Sequence, residues 1–331
     1  MRILKDNDFR TFERLCGLSQ KGIKHTLSVF LKSKYEKVLE TPDYICAVGN
    51  IPIALVAHMD TVFSHPARDV FYDRRKNVIW SPTGLGADDR AGVFSIVQII
   101  KKGLRPHIIF TTDEEKGALG ALALGQEDCP FEDLRYIIEL DRRGANDCVF
   151  YDCENPEFTD YIEKFGFVEA IGSFSDISIL CEDWGIAGVN LSIGYYDEHS
   201  TSETLYVGHM LNTIDKVVSM LTIPAENIPK FKFIPAVYGT GWWYKQWTNA
   251  NIDHTHCYLC GQEYKPEEMI PVKLLNDKVK NFCIDCIVGN VSWCHSCGEA
   301  FEPAENDKMG LCNDCKREIF EGQYKSNPRP V

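Results

Sequence analysis

Ile53-Ala54-Leu55-Val56-Ala57-His58-Met59-Asp60-Thr61-Val62 decides how this chain is read. Five apolar residues in unbroken succession, without alternation, describe a strand buried on both faces. The run stops abruptly at a histidine and an aspartate. Similar short, β-branched or aromatic runs occur at 44–48, 107–111, 136–140, 148–151 and 189–193, each bounded by turn residues, and all are expected to be strands. Several also open onto polar groups. Strand 107–111 leads to Thr112-Asp113-Glu114-Glu115-Lys116-Gly117, strand 136–140 ends at Asp141, and strand 189–193 precedes Tyr195-Tyr196-Asp197-Glu198-His199-Ser200. Gly84-Leu85-Gly86-Ala87-Asp88-Asp89-Arg90-Ala91-Gly92 precedes a helical stretch. In an open α/β sheet, sites form beyond the carboxyl ends of the strands, so these segments are expected to converge.

Between the strands lie helical patterns at 11–36, 91–102, 116–125, 157–165, 174–183 and 207–222. The alternation predicts an α/β fold, a mixed central sheet covered by helices on both faces. A length of 331 residues suits two or three domains. Residues 1–222 are read as the catalytic domain and 223–256 as a Pro/Trp-rich linker packed on it by Trp242, Trp243 and Trp247. A cysteine-rich domain is read over 257–331. The net charge of −13 argues against nucleic-acid binding by charge alone. The first residues, MRILKDNDFRTFERLCG, lack the pattern of a secretion signal, and no apolar run approaches a membrane span. A cytoplasmic location, without membrane association, is therefore expected.

Carboxylates gathered at one edge repel one another unless protons or cations neutralise them. Imidazole and carboxylate together suit zinc. In order, His-x-Asp-Thr-Val, Gly-Ala-Asp-Asp-Arg-Ala-Gly, Thr-x-Asp-Glu-Glu-x-Gly, a strand-end Asp and a late His resemble the dinuclear zinc aminopeptidases and carboxypeptidases of peptidase clan MH. That clan includes peptidase T and the bacterial leucine-type aminopeptidases. The resemblance covers residues 50–222 and implies the phosphorylase/hydrolase-like zinc peptidase fold. It also implies roles. Asp88 would bridge two Zn²⁺ ions, with His58 and Asp141 on one and Glu115 and His199 on the other. Asp60 would orient His58, Glu114 would act as general base, and the Asp88–Asp89 peptide would be cis. Asp113 stays ambiguous and outside the site. Glu203 is a candidate for a supporting role. Asp176 reads as a helix cap, and His65, His107 and His209 as structural or surface residues.

His58 and Asp88 are 30 positions apart, and Asp141 and His199 are 58 apart. Neither interval has room for the extra domains that many clan members insert, so no lid insertion is expected. In the family, Asp at the fourth ligand position accompanies aminopeptidases, so Asp141 favours removal of N-terminal residues from a peptide or small amide substrate. A deacylase acting on a small molecule or modified side chain is the alternative. A zinc-finger adaptor on an inactive peptidase fold is a third reading, and the complete ligand set argues against it. Arg90, Arg142 and Arg143 lie near the ligands in sequence and are candidates for carboxylate binding or for structural ion pairs.

Eight of the fourteen cysteines form four Cys-x-x-Cys pairs. Cys257 pairs with Cys260, Cys283 with Cys286, Cys294 with Cys297, and Cys312 with Cys315. Two such turns complete a tetrahedral four-thiolate site, so two structural zinc ions are expected, in zinc-ribbon or treble-clef fingers. Sequential pairing is preferred to a cross-braced arrangement. Residues 257–331 carry 9 Lys and Arg against 12 Asp and Glu. That balance suits a protein partner better than nucleic acid.

Overall fold

The structure, a computed structural model, describes residues 2–172 and 174–235, and the backbone of four short strands between 269 and 301. The chain divides into two compact units, Met1–Pro235 and Ala236–Val331.

The first unit begins with α1 (Asp6–Cys16) and α2 (Gln20–Lys32). These replace the single helix expected over 11–36. Gly17 caps the first helix, and the Ser19 hydroxyl accepts the Gly22 N–H at 3.3 Å to start the second. There follow β1 (Lys37–Glu40), β2 (Tyr44–Val48), β3 (Ile51–His58), β4 (Phe71–Asp73), β5 (Val78–Trp80) and α3 (Ala87–Lys101). Next come β6 (Pro106–Thr111), α4 (Leu119–Gly125), β7 (Tyr136–Arg142), β8 (Asp147–Val149), α5 (Pro156–Glu163) and β9 (Val168–Glu169). The unit continues with α6 (Asp176–Trp184), β10 (Gly188–Ser192), β11 (Tyr195–Tyr196), β12 (Thr204–Tyr206) and α7 (Val207–Leu221).

Eight strands form one mixed sheet in the order β1-β2-β6-β3-β7-β10-β8-β9. The central strands β6, β3, β7 and β10 run parallel. Strands β1, β2 and β8 pair antiparallel with their inner neighbours. This is the α/β architecture expected from the alternation. Successive residues of β3 enter two different cores: Ile53, Leu55 and Ala57 face one, Ala54 and Val56 the other. In β7, Tyr136, Ile138 and Leu140 join the first core and Ile137 the second. The first core takes Phe12, Leu15, Phe94, Ile96, Ile214 and Val217 from α1, α3 and α7, and the second Ala121, Leu124, Ile177 and Leu180 from α4 and α6. Helices on both sides explain why these strands read as continuous apolar runs.

A second, four-stranded sheet, β11-β12-β5-β4, was not legible in the sequence. Its members are two or three residues long, too short to show a period. Ile79, Leu205 and Tyr195 bury one face against the first core. Residues 223–235, the first part of the expected linker, group with the first unit. Ile228 and Phe231 are buried, and Phe231 donates its N–H to Arg135 O at 3.0 Å and accepts the Ala187 N–H at 3.1 Å.

In the second unit, β13 (Met269–Lys273) pairs antiparallel with β14 (Val279–Cys283), and β15 (Ser292–Trp293) with β16 (Ala300–Phe301). Cys283 is the last residue of β14, opposite Met269. The other expected zinc ligands of this unit, Cys257, Cys260, Cys286, Cys294, Cys297, Cys312 and Cys315, lie outside the described residues. Residues 236–256 of the expected linker lie outside them as well. Among the described residues, no helix is long and apolar enough to cross a membrane.

Candidate metal centre

Because β3, β6, β7 and β10 are parallel, their carboxyl ends lie along one edge of the sheet. His58 ends β3, Glu114 and Glu115 follow β6 in a single 3₁₀ turn, Asp141 is the next-to-last residue of β7, and His199 sits between β11 and β12. Asp88 arrives from the other direction, at the start of α3. Gly86 precedes that helix with φ 66°, and a Cβ there would lie 2.9 Å from Thr61 Cγ2. The Asp88–Asp89 peptide is cis. Glu203, 1% exposed, holds this segment by accepting the N–H of Gly86 at 2.6 Å and of Asp88 at 2.9 Å.

The Asp88 carboxylate faces two imidazoles. Its Oδ1 is 3.0 Å from His58 Nε2, and its Oδ2 is 3.1 Å from His199 Nε2. Asp141 Oδ1 is 3.6 Å from His58 Nε2, and Glu115 Oε2 is 3.2 Å from His199 Nε2. Two groups of possible ligands therefore share Asp88, one with His58 and Asp141 and the other with Glu115 and His199. Glu114 and Glu115 form a third group with His58. Asp60 Oδ1 is 3.2 Å from His58 Nδ1, so the ring is held from behind. The same carboxylate accepts the main-chain N–H of Glu114 at 3.0 Å and of Glu115 at 3.1 Å. His58 is fully buried, whereas the His199 side chain is 52% exposed, so the centre opens toward solvent on the His199 side.

The electrostatics report a shortage of positive charge. Burial pushes Glu114 up to about 9; His58 opposes this, while the Asp141, Asp176 and Glu115 carboxylates add to it. Burial and the neighbouring Asp88 carboxylate raise Asp141 to about 7. Hydrogen bonds to Asp88 and Glu115 lift His199 to about 11. Burial alone would lower His58, but Asp141, Asp60 and Asp88 hold it well above the usual imidazole range. Burial would raise Asp88, but the two imidazoles hold it well below the carboxylate range. Glu115 Oε1 is buried without a hydrogen-bond partner. Hard and borderline cations take carboxylate and imidazole donors of this kind, so the residues fit a metal.

All seven metal-centre residues expected from the sequence (His58, Asp60, Asp88, Glu114, Glu115, Asp141 and His199) come together here. Asp113 is in none of these groups and pairs with Lys116 at 2.6 Å. Several supporting residues were missed. Asn190 pairs with the main chain of Asp141, and Tyr195 OH donates to Asp141 Oδ1 at 3.1 Å. Ser175 donates to the buried Glu139 at 2.6 Å. Asp176 is not the cap expected of it. Ser175 is the N-cap, and Asp176 is buried inside the first turn, where it accepts a hydrogen bond from Thr111. Glu139 and Asn190 were visible in principle, as polar residues within otherwise apolar strands.

No protein-family model matches the sequence, and no curated protein does. Solved structures do match the fold. A tripeptidase from Staphylococcus aureus superposes with a TM-score of 0.55 at 16% identity, covering 68% of this chain and 100% of the other. The TET aminopeptidase of a marine-sediment Thaumarchaeota archaeon gives 0.53 at 13% identity, covering 67% and 99%. Aminopeptidase PepT from Bacillus cereus gives 0.50 at 16% identity, covering 66% and 98%. This chain shares its fold with solved aminopeptidases and a tripeptidase, and the shared part amounts to about two thirds of its length.

Proposed function

We propose that the first unit is a dinuclear zinc metallopeptidase that removes residues from the N-terminus of peptides. One observation carries the reading: the two oxygens of Asp88 face His58 and His199 separately, so two three-residue ligand groups share one carboxylate. His58, Asp88 and Asp141 would hold one ion, and Asp88, Glu115 and His199 the other. The aminopeptidase and tripeptidase structures that share the fold support peptide as the substrate. Asp at the position of Asp141 supports the aminopeptidase assignment through the clan resemblance.

When bound, zinc at these residues acidifies a water at neutral pH and polarises the scissile carbonyl. A Glu114 carboxylate oxygen lies within 4.8 Å of a His58 ring nitrogen and of a Glu115 oxygen. Glu114 takes the proton of the attacking water on a carboxylate oxygen and delivers it to the nitrogen of the departing amine. Asp60 fixes that carboxylate's backbone and the His58 ring together. In the second unit, Cys257, Cys260, Cys283 and Cys286 would hold one structural zinc ion, and Cys294, Cys297, Cys312 and Cys315 another. The resulting fingers would present a surface to a protein partner. Thiolate ligands of this kind suit the reducing cytoplasm.

The test is zinc content and hydrolysis on the full chain, with aminoacyl and acyl-amide substrates beside Glu114→Gln. About four zinc ions per chain, aminoacyl turnover, and its loss in the variant are expected. Preference for acyl amides would replace the peptidase by a deacylase. About two zinc ions and no turnover would overturn the enzyme reading.

A further inference from the structure

The two halves of the centre are held differently. On one side, Asp60 fixes the His58 ring from behind and Asn190 fixes the Asp141 main chain. On the other, His199 sits in an exposed turn with φ 62°. Its Nε2 faces Asp88 at 3.1 Å and Glu115 at 3.2 Å, and among the described residues no hydrogen bond holds its Nδ1. The orientation of this imidazole therefore comes from its turn.

From Asp197 to Ser202 no residue is buried, whereas Glu203, which ends the turn just before β12, is 1% exposed. Its main-chain N–H donates to Ser200 O at 3.2 Å. The Ser200 hydroxyl tightens the same turn, donating to Asp197 O at 2.7 Å and accepting the Ser202 N–H at 3.2 Å. The Glu203 carboxylate reaches across to the segment that carries Asp88. One oxygen accepts the Gly86 N–H and the other the Asp88 N–H. Thr204, the next residue, pairs with Trp80 on the strand that leads into that segment. One residue thus closes the His199 turn with its main chain and holds Asp88 with its side chain. Both oxygens are needed as acceptors. A glutamine would set its NH₂ group against one of the two N–H donors.

We infer that Glu203 is the positioning residue for the second ion of the proposed pair, as Asp60 is for the first. The inference rests on the dinuclear reading and adds an unequal dependence to it. Two of the three ligands of the second ion, Asp88 and His199, hang on Glu203. Of the first ion's three, only Asp88 does.

The experiment titrates Mn²⁺ into the full chain, freed of ions at the carboxylate centre by dialysis, and follows binding by electron paramagnetic resonance. This ion takes oxygen donors and leaves thiolates to zinc. The wild type is expected to bind two Mn²⁺ ions with an exchange-coupled spectrum. Glu203→Gln should keep the first ion within about 3-fold, weaken the second about 10- to 100-fold, and lose the coupled signal at two equivalents. Ser200→Ala loosens the same turn from its exposed side, leaves the core intact, and should weaken the second ion in the same direction. A coupled pair of unchanged affinity in Glu203→Gln overturns the inference and leaves the dinuclear reading standing. Equal weakening of both ions overturns it too, because that is the mark of a merely structural role. If Glu203→Gln does not fold, unchanged second-ion affinity in Ser200→Ala overturns it. A single uncoupled ion in the wild type overturns the dinuclear reading and this inference with it.

Discussion

The side-chain amide of Asn190 pairs with the main chain of Asp141 as a neighbouring peptide group would. Oδ1 accepts the Asp141 N–H at 3.0 Å and Nδ2 donates to the Asp141 carbonyl at 3.1 Å. The pairing falls where the β7–β10 register shifts, between Asn190 and Ser192. A side chain therefore completes the ladder that the irregular backbone leaves open. Asn190 Nδ2 also lies 2.9 Å from Tyr151 OH, and the residue is 1% exposed. Asn190→Leu keeps the volume but leaves the Asp141 N–H without its partner and its carbonyl with the Tyr195 hydroxyl alone, which also donates to it at 3.1 Å. It should cost about 1–3 kcal/mol in urea unfolding. Zinc affinity at the centre should fall about 10- to 100-fold in a competition titration against a chelator. Unchanged affinity would mean that the clamp does not set the ligand.

Glu114 and Glu115 are adjacent, and both backbones hang from Asp60, yet the proposal gives them different work. Glu114→Gln should retain the metal and lose about 10²- to 10⁴-fold in kcat, the scale of a proton-transfer group. Glu115→Gln removes charge from the Glu115–His199 pair and should lower zinc content first. Metal analysis beside steady-state kinetics on the two variants distinguishes these outcomes. Equal zinc loss in both would remove the distinction.

The sheet and the histidine–carboxylate cluster were legible for the same reason. A strand buried on both faces announces itself as an apolar run, and a charged residue at its end then stands out, as His58 does after Ala57. The supporting residues were harder to see. Ser175 and Tyr195 reach the centre only through tertiary packing, and no local period marks them. The break between α1 and α2 was hidden because Phe12, Leu15, Ile23 and Leu27 all face one core across it. Gly17 and Ser19 carried the signal, as a helix stop followed by a helix start.

His107 offers a pH test remote from the metal centre. It is 6% exposed, stacks on Phe131 at 4.3 Å, and accepts the Gly49 N–H at Nδ1. Burial lowers its pKa from the ordinary 6.5 to about 4, although Asp133 opposes the shift. The folded state thus holds a neutral ring that the unfolded chain protonates more readily. The contribution is complete above pH 6.5 and is lost as pH falls toward 4, to a total of about 3 kcal/mol at most. His107→Gln keeps an acceptor for Gly49 and removes the titration. Between pH 7 and about pH 4.5, the unfolding midpoint should fall less for the variant than for the wild type. Parallel falls would show that carboxyl groups elsewhere carry the acid sensitivity.

Gly92 closes the Asp-Asp-Arg-Ala-Gly stretch, and the structure gives a steric reason for a glycine there. A Cβ on it would lie 2.2 Å from the Leu140 carbonyl oxygen and 2.4 and 2.5 Å from the Asp89 carboxylate oxygens. Its own N–H donates to Asp89 Oδ1 at 2.8 Å. The bare backbone of α3 is what allows the helix to approach β7, and through that approach Asp88 reaches Asp141. Gly92→Ala must push the two elements apart, since the Leu140 oxygen is main chain and cannot rotate away. The expected cost is about 3 kcal/mol, at the upper end for overpacking, together with loss of zinc from the centre. Gly103→Ala is the control. Its φ is +93°, with nothing within 4 Å of the new Cβ, so about 1–2 kcal/mol of backbone strain is expected and zinc content should hold. If both variants lose stability but keep their zinc, the contact between α3 and β7 is not what sets the ligand geometry.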